Sequence, residues 1–229
     1  DAPALLGHRD LQTLFHEFGH GLHHMLTRVD CAAVSGINGV AWDAVELPSQ
    51  FLENWCWQRE SLALISSHHK SGESLPAELL NKMLAARNFQ SAMTMARQLE
   101  FALFDMRLHM EFSDDEEHQV QRILDEVRAQ VCVTPVSPEN RFQLAFTHIF
   151  GSPVGYGAGY YSYKWAEVLS ADAFSLFEEE GIFNAATGEK FLSTILANGG
   201  SQEAMDLFVA FRGREPSVDA LLKQDGIAA

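Results

Sequence analysis

The sequence predicts an all-α fold, and three observations carry that expectation. Helix-favouring composition runs almost throughout the 229 residues. Apolar side chains recur at three and four where a helix face needs them. Proline- and glycine-bearing stretches then punctuate the chain at intervals that suit helices of ordinary length. The first helix runs from roughly Asp10 to Thr27, where Leu11, Leu14, Phe15, Phe18 and Leu22 supply the recurrence and mark a buried helix. Val34 to Trp42 carries Gly36 and Gly39 and reads as a loop or short strand. A second helix is expected from near Asp43 or Pro48 to about Ser67, and Ser71 to Leu75 is a turn. Pro76 suits the first position of a long helix reaching about Phe112, with a break point near Asn88. Asp114 starts another, which ends before Thr134-Pro135-Val136-Ser137-Pro138 because prolines cannot continue it. A short helix covers Asn140 to Phe150, and Gly151 to Gly159 is the most glycine-dense run in the chain. Helices follow at about Tyr160 to Glu179, Gly188 to Ala197, Gln202 to Phe211 and Ser217 to Gln224, with Gly199 as a stop signal. No repeat, low-complexity tract or strong linker interrupts the series, so one domain over residues 1–229 is expected.

Composition narrows the function. A formal net charge of −15 argues against a nucleic-acid partner, since phosphate binding needs Lys and Arg clustered on a face. No apolar run approaches the roughly 18 residues of a membrane span, so no membrane is expected. Cys31, Cys56 and Cys132 are odd in number and scattered, which reads as reduced thiols in a cytoplasmic chain. The opening Asp1-Ala2-Pro3-Ala4 resembles neither an initiator sequence nor a signal peptide, and the expectation is a fragment of a longer protein.

The chemistry concentrates in His16-Glu17-Phe18-Gly19-His20. Residues four apart stack on one helix face, so both imidazoles can converge on one cation with Glu17 beside them. Gly19 and Gly21 each disfavour helix by about 1 kcal/mol relative to Ala, and are tolerated more easily where a substrate backbone or a neighbouring helix comes close. Zinc in a hydrolytic site takes three protein donors and keeps a fourth position for water. Glu46 and Glu53 lie two helical turns apart in the next helical segment and face the same way. Glu46 is the expected third ligand; the competing reading is a capping box, Asp43-x-x-Glu46. Glu53 either steadies a ligand imidazole or faces solvent. Glu17 has the placement of a general base. His23 and His24 project roughly 100° apart, so at most one faces the metal side, and the plainer reading is that both are partly exposed or satisfied. No serine or cysteine triad is evident, and Gly155-x-Gly157-x-Gly159 follows no expected strand, so it is no dinucleotide fingerprint. All four tyrosines fall between His148 and Tyr163. A phenol or imidazole there could stabilise an oxyanion; the alternative is helix packing, which is favoured for Tyr161.

Taken together, His16 to His20, Asp43-Ala44-Val45-Glu46-Leu47-Pro48-Ser49-Gln50 and Gly155-Tyr156-Gly157-Ala158-Gly159-Tyr160-Tyr161-Ser162-Tyr163 resemble the thimet oligopeptidase and neurolysin family of zinc peptidases. The resemblance continues through Phe177 to Asn184 and Phe211 to Pro216. It implies a zincin-like helical catalytic lobe, the C-terminal part of a two-lobed oligopeptidase that encloses a channel. It also implies a cytosolic zinc metalloendopeptidase hydrolysing short peptides, released signal-peptide fragments among them. On this likeness one Zn2+ per chain is bound by His16, His20 and Glu46, and Glu17 is the base. His148, Tyr156 and Tyr163 then contact substrate or stabilise the oxyanion, with Tyr160 beside them. Two departures stand out. Ser152-Pro153-Val154 lengthens the link between His148 and Tyr156. Family members are also considerably longer, so an N-terminal lobe of the same protein is the expected partner. The competing expectations are a non-catalytic helical domain whose structural zinc is closed by His23 or His24, and an isolated, inactive fragment of the peptidase.

Overall fold

The computed structural model describes residues 5–152 and 155–227; Pro153 and Val154, in the lengthened link, lie outside them. Helices joined by turns and irregular segments make up the described residues, and no strand occurs among them. In chain order the helices are α1 (His8–Met25), α2 (Leu47–Glu53), α3 (Arg59–Ile65), α4 (Ala77–Arg87), α5 (Ser91–Glu111) and α6 (Gln119–Val131). They continue with α7 (Thr147–Phe150), α8 (Ser162–Glu180), α9 (Ala185–Thr194), α10 (Ala204–Arg212) and α11 (Asp219–Gln224). Two compact units result: residues 1–89 with 166–229, and residues 90–165.

In the first unit an aromatic cluster holds the helices together. Phe51 stacks on Phe191 at 4.1 Å and meets Phe174, Phe177 and Trp55 edge-on. Phe211, fully buried, closes the cluster against Phe191. Such rings bury large apolar areas and prefer offset or edge contacts, so they fix helix positions as well as favouring collapse. The C-terminal segment is tied down by the fully buried Asp172 on α8, which accepts bonds from Arg212, from both Arg214 nitrogens and from the Ser217 amide.

The expected second helix is instead broken in two. After α2 a 3-10 turn spans Asn54–Trp57, and Gln58 is extended before α3 begins. The Asn54 side-chain amide bonds the Phe51 carbonyl and Ser170 Oγ, and the Trp55 indole donates to the Ile182 carbonyl. These tertiary partners draw the chain out of a straight helix, which periodicity alone cannot foresee. α1 differs in another way. Leu14 and Phe18 are 53% and 52% exposed, so the helix is present but its apolar stripe is only partly covered.

The second unit is built on α5 and α6. Phe104, Ile123, Leu124 and Val127 are fully buried between them, with Leu108, Phe146 and Tyr160 packed around. The buried Glu100 carboxylate is paired by Arg97 and by Arg128. α6 begins at Gln119, later than the expected Asp114. Gln119 explains the delay: its side chain accepts from the Ser113 amide and donates to the Glu111 carbonyl, closing a turn, while Glu116 is drawn to Arg122. The single helix expected over Asn140 to Phe150 is a 3-10 turn, Phe142–Ala145, followed by the short α7.

Candidate metal centre

The centre begins with a backbone contact. A Cβ placed on Gly19 would lie 2.5 Å from the Pro48 carbonyl oxygen and from Ser49 Cα. No side chain fits there, so the glycine is what allows α1 to cross the start of α2 at backbone distance. Gly21 has no such neighbour closer than ordinary contact, so the expectation of a close approach holds at one of the two glycines.

That crossing sets Glu46 over the two imidazoles. Glu46 Oε2 is 3.4 Å from His16 Nε2 and 3.2 Å from His20 Nε2, and the three donor atoms all lie within 4.8 Å of one another. Among the described residues no fourth His, Cys, Asp or Glu joins this group. Glu46 is itself the residue that precedes the first turn of α2 and makes no capping bond with its side chain, so the capping-box reading fails. Its carboxylate accepts instead from Ser49 Oγ at 2.9 Å, a support that sequence reasoning missed although Glu46-x-x-Ser49 has helical spacing. Glu53 reaches His16 Nδ1 at 2.8 Å. With Nδ1 as donor to Glu53, the His16 lone pair is left on Nε2, facing His20 and Glu46.

Two pKa shifts follow from the same arrangement. The hydrogen bond to Glu53 raises the His16 pKa above the ordinary imidazole value; burial opposes it, and the charges of Glu53, Glu46 and Glu17 add to the rise. Burial alone would push Glu46 up, but hydrogen bonds from His20 and Ser49 and the imidazole charges hold it below the usual carboxylate range.

The donor set fits a zinc ion. Two ligands each about 2.0–2.1 Å from one tetrahedral ion are about 3.3 Å apart, close to the separations of 3.2 and 3.4 Å found here. Two neutral imidazoles and a carboxylate are also the donor types of hydrolytic zinc sites. Glu17, next to His16, lies on an exposed part of α1.

His23 overturns an expectation. It is only 2% exposed, neither ring nitrogen makes a hydrogen bond, and it adjoins a cavity of about 30 Å³ lined by Val40, Leu47, Pro48 and Leu207. Burial, then the charges of His24 and His20, pull its pKa down to about 4. His24 is exposed, as expected. The tyrosine-rich stretch belongs to the second unit, residues 90–165. There Tyr156 stacks on Tyr163 at 4.8 Å, Tyr160 meets Tyr163 edge-on at 5.4 Å, and His148 is 6.4 Å from Tyr156. Tyr161, expected to pack a helix against the core, is 39% exposed.

Comparison with known proteins adds the lineage of this architecture. The sequence profile of Peptidase family M3 matches residues 1–227. Oligopeptidase A of Escherichia coli is 62% identical over 225 residues, covering 98% of this chain and 33% of the relative. The Arabidopsis thaliana protein named "Probable cytosolic oligopeptidase A" is 48% identical over 233 residues, covering 100% of this chain and 33% of its own. Saccharolysin of Saccharomyces cerevisiae is 36% identical over 228 residues, covering 99% of this chain and 32% of the relative. The chain thus spans about a third of the length of the curated relatives it matches.

Two outcomes follow from the geometry. Gly19→Ala drives a methyl into the Pro48–Ser49 backbone and separates α1 from α2, so it should cost roughly 1–3 kcal/mol of stability through overpacking and lower the affinity of the His16–His20–Glu46 cluster for added Zn2+. Isothermal titration with Zn2+ beside urea unfolding measures both. His23 has a folded pKa below its unfolded value of 6.5, so its contribution is complete above pH 6.5 and is lost as pH falls toward 4. The loss amounts to about 3 kcal/mol. His23→Phe removes this acid-labile increment, and unfolding curves between pH 7 and pH 4 (about the window in which the two states bind protons differently) should flatten accordingly.

Proposed function

The chain belongs to Peptidase family M3, and from that premise we propose that it forms the catalytic portion of a zinc metalloendopeptidase acting on short peptides. The observation that carries this reading is the convergence of His16, His20 and Glu46, with Glu17 adjoining the first of them. Bound by these three, a zinc ion supplies Lewis acidity, polarising a peptide carbonyl and making water acidic enough to attack near neutral pH.

The chain's own residues do the rest. Glu17 takes a proton from the attacking water and delivers it to the leaving amine as the C–N bond breaks; the second water proton passes from the new carboxyl group to the amine, so the products are a carboxylate and an ammonium and Glu17 ends as it began. Glu53 holds His16 by Nδ1, which keeps the ring in one tautomer and makes Nε2 the better donor. Ser49 restrains the Glu46 carboxylate through Oε2. His148, Tyr156 and Tyr163 are assigned, on the family resemblance, to contact substrate or to donate to the developing oxyanion.

The short-peptide reading draws support from relatives named oligopeptidase; released signal-peptide fragments among the substrates are proposed on the family resemblance alone. We extend the proposal to a preceding lobe of the same protein as partner. The length of the relatives supports it, as do the half-exposed Leu14 and Phe18 on α1, which a further layer would cover. A cytoplasmic location is supported by the plant relative named cytosolic and by the absence of a disulfide among the three cysteines.

In the full-length protein, Glu17→Gln should keep one zinc per chain and lower kcat by about 10²–10⁴. Near-normal hydrolysis of a quenched short peptide by that variant defeats the base assignment. Glu46→Ala should lose most of its zinc on dialysis, read by atomic emission; unchanged stoichiometry means that another residue is the third ligand.

A further inference from the structure

We propose that Asp105 is the positioning residue of the glycine–tyrosine loop, a buried carboxylate that fixes the loop backbone and thereby aims Tyr156 and Tyr163. The proposal rests on the reading above that these phenols work on the substrate.

Asp105 lies on α5 and is 1% exposed. Nothing in its sequence surroundings, Phe104-Asp105-Met106, marks it out, yet both of its oxygens point at the loop. Oδ1 accepts the Ala158 amide at 2.9 Å and Oδ2 accepts the Tyr160 amide at 2.8 Å. Two loop N–H groups converging on one carboxylate form an anion-binding turn whose anion is a side chain of the same protein. A third partner comes from α5 itself: His109 Nδ1 lies 2.9 Å from Asp105 Oδ1. The same nitrogen bonds the Asp105 backbone carbonyl at 2.9 Å, so the donors aimed at the buried carboxylate are the two loop amides, with the imidazole packed beside them.

The loop in turn is shaped to be held. Ala158 sits at φ 58°, in the left-handed region that a non-glycine residue occupies at a cost, and its amide is one of the two that Asp105 binds. A Cβ on Gly157 would lie 3.0 Å from His109 Nε2, so the imidazole rests directly on the loop backbone. Tyr160 is pinned at both ends, its amide by Asp105 and its hydroxyl by Gln98 at 3.0 Å, with its ring against Phe101 and Phe146. It is therefore the anchor between the two stacked tyrosines. Tyr156 precedes the clamped amides and Tyr163 follows them, so a shift of the clamp re-aims both phenols. Misplacement of about 1 Å can cost a hundredfold in rate.

Asp105→Asn is the test, because it keeps shape and one acceptor while turning an amide NH2 toward a loop N–H. In the full-length, zinc-loaded protein kcat on a quenched short peptide should fall about ten- to a hundredfold, with KM within about threefold and zinc content unchanged. Amide exchange should accelerate in residues 155–161 while α5 and α6 stay protected. A folded variant with kcat within about twofold of the parent overturns the proposal. So does acceleration spread evenly over α5 and α6, which marks a merely structural carboxylate. Should Asp105→Asn fail to fold, His109→Ala decides: it removes the imidazole that touches both Asp105 Oδ1 and the loop backbone, so kcat should drop and exchange in residues 155–161 should accelerate. Parental kcat and exchange in that variant overturn the proposal. Tyr156→Phe and Tyr163→Phe separate this inference from the reading beneath it. If both keep parental kcat while Asp105→Asn still loosens the loop, the tyrosine assignment falls and the clamp loses its catalytic purpose.

Discussion

The close passage of α1 over α2 at Gly19 is the constraint on which the candidate centre depends. Zinc ligation demands donors within about 3.3 Å of one another, yet side-chain-mediated helix packing holds axes 8–10 Å apart. Glu46, at the very start of α2, can reach two imidazoles on α1 only if the backbones meet without side chains between them. The hydrogen-for-methyl economy at one position achieves this: Gly19 faces the Pro48 carbonyl, and Glu46, two residues before that proline, comes within reach of the imidazoles. The about 1 kcal/mol that glycine costs a helix is offset by a contact no other residue permits.

A second regularity concerns carboxylates. The chain is strongly acidic, yet several of its acids are buried, and each buried one joins elements that would otherwise part. Asp172 ties the segment after α10 to α8, Glu100 joins α5 to α6 through Arg128, Asp105 holds the loop before α8, and Glu46 gathers α1 to α2. For Asp172, Glu100 and Glu46 the desolvation that would neutralise the acid is outweighed by directed donors. Asp172, Glu100 and Glu46 are accordingly held below the normal carboxylate range in spite of their burial. Such sites break asymmetrically: losing one donor strands a buried charge, so these positions specify geometry more than they add stability.

What the sequence made legible follows the reach of local rules. The four-residue spacing of His16 and His20 is a property of one helix, and the structure has it. Breaks near Asn88 and after Val131 were readable from turn chemistry, and Gly199 does end a helical stretch with a positive φ. Legibility stopped where a side chain had a distant partner. Asn54 bonding Ser170 splits the second helix, and Gln119 folding back on Glu111 delays α6. Burial was misjudged for the same reason. His23 reads as an ordinary polar residue until Leu47 and Leu207 are seen around it, and Leu14 and Phe18 read as core until nothing is seen to cover them. Asp105 is the sharpest case, since the two loop amides it binds lie more than fifty positions away.

The opposite shifts of His16 and Glu46 carry the argument about the centre one step further. His16 is held more basic than normal by Glu53, and Glu46 more acidic by its neighbours, so the pair is arranged to share positive charge at the point where their atoms face. A proton meets that demand at low pH, and on the proposed reading a divalent cation would meet it better, because it would engage His16, His20 and Glu46 at once. Protons and metal thus compete for one place, and the outer residues set the terms. Glu53 makes His16 a stronger donor to either, whereas the hydrogen bond from Ser49 favours the charged form of Glu46 against its burial. The same three side chains on an exposed helix face, without Glu53 and Ser49, would present identical spacing and far weaker ligation.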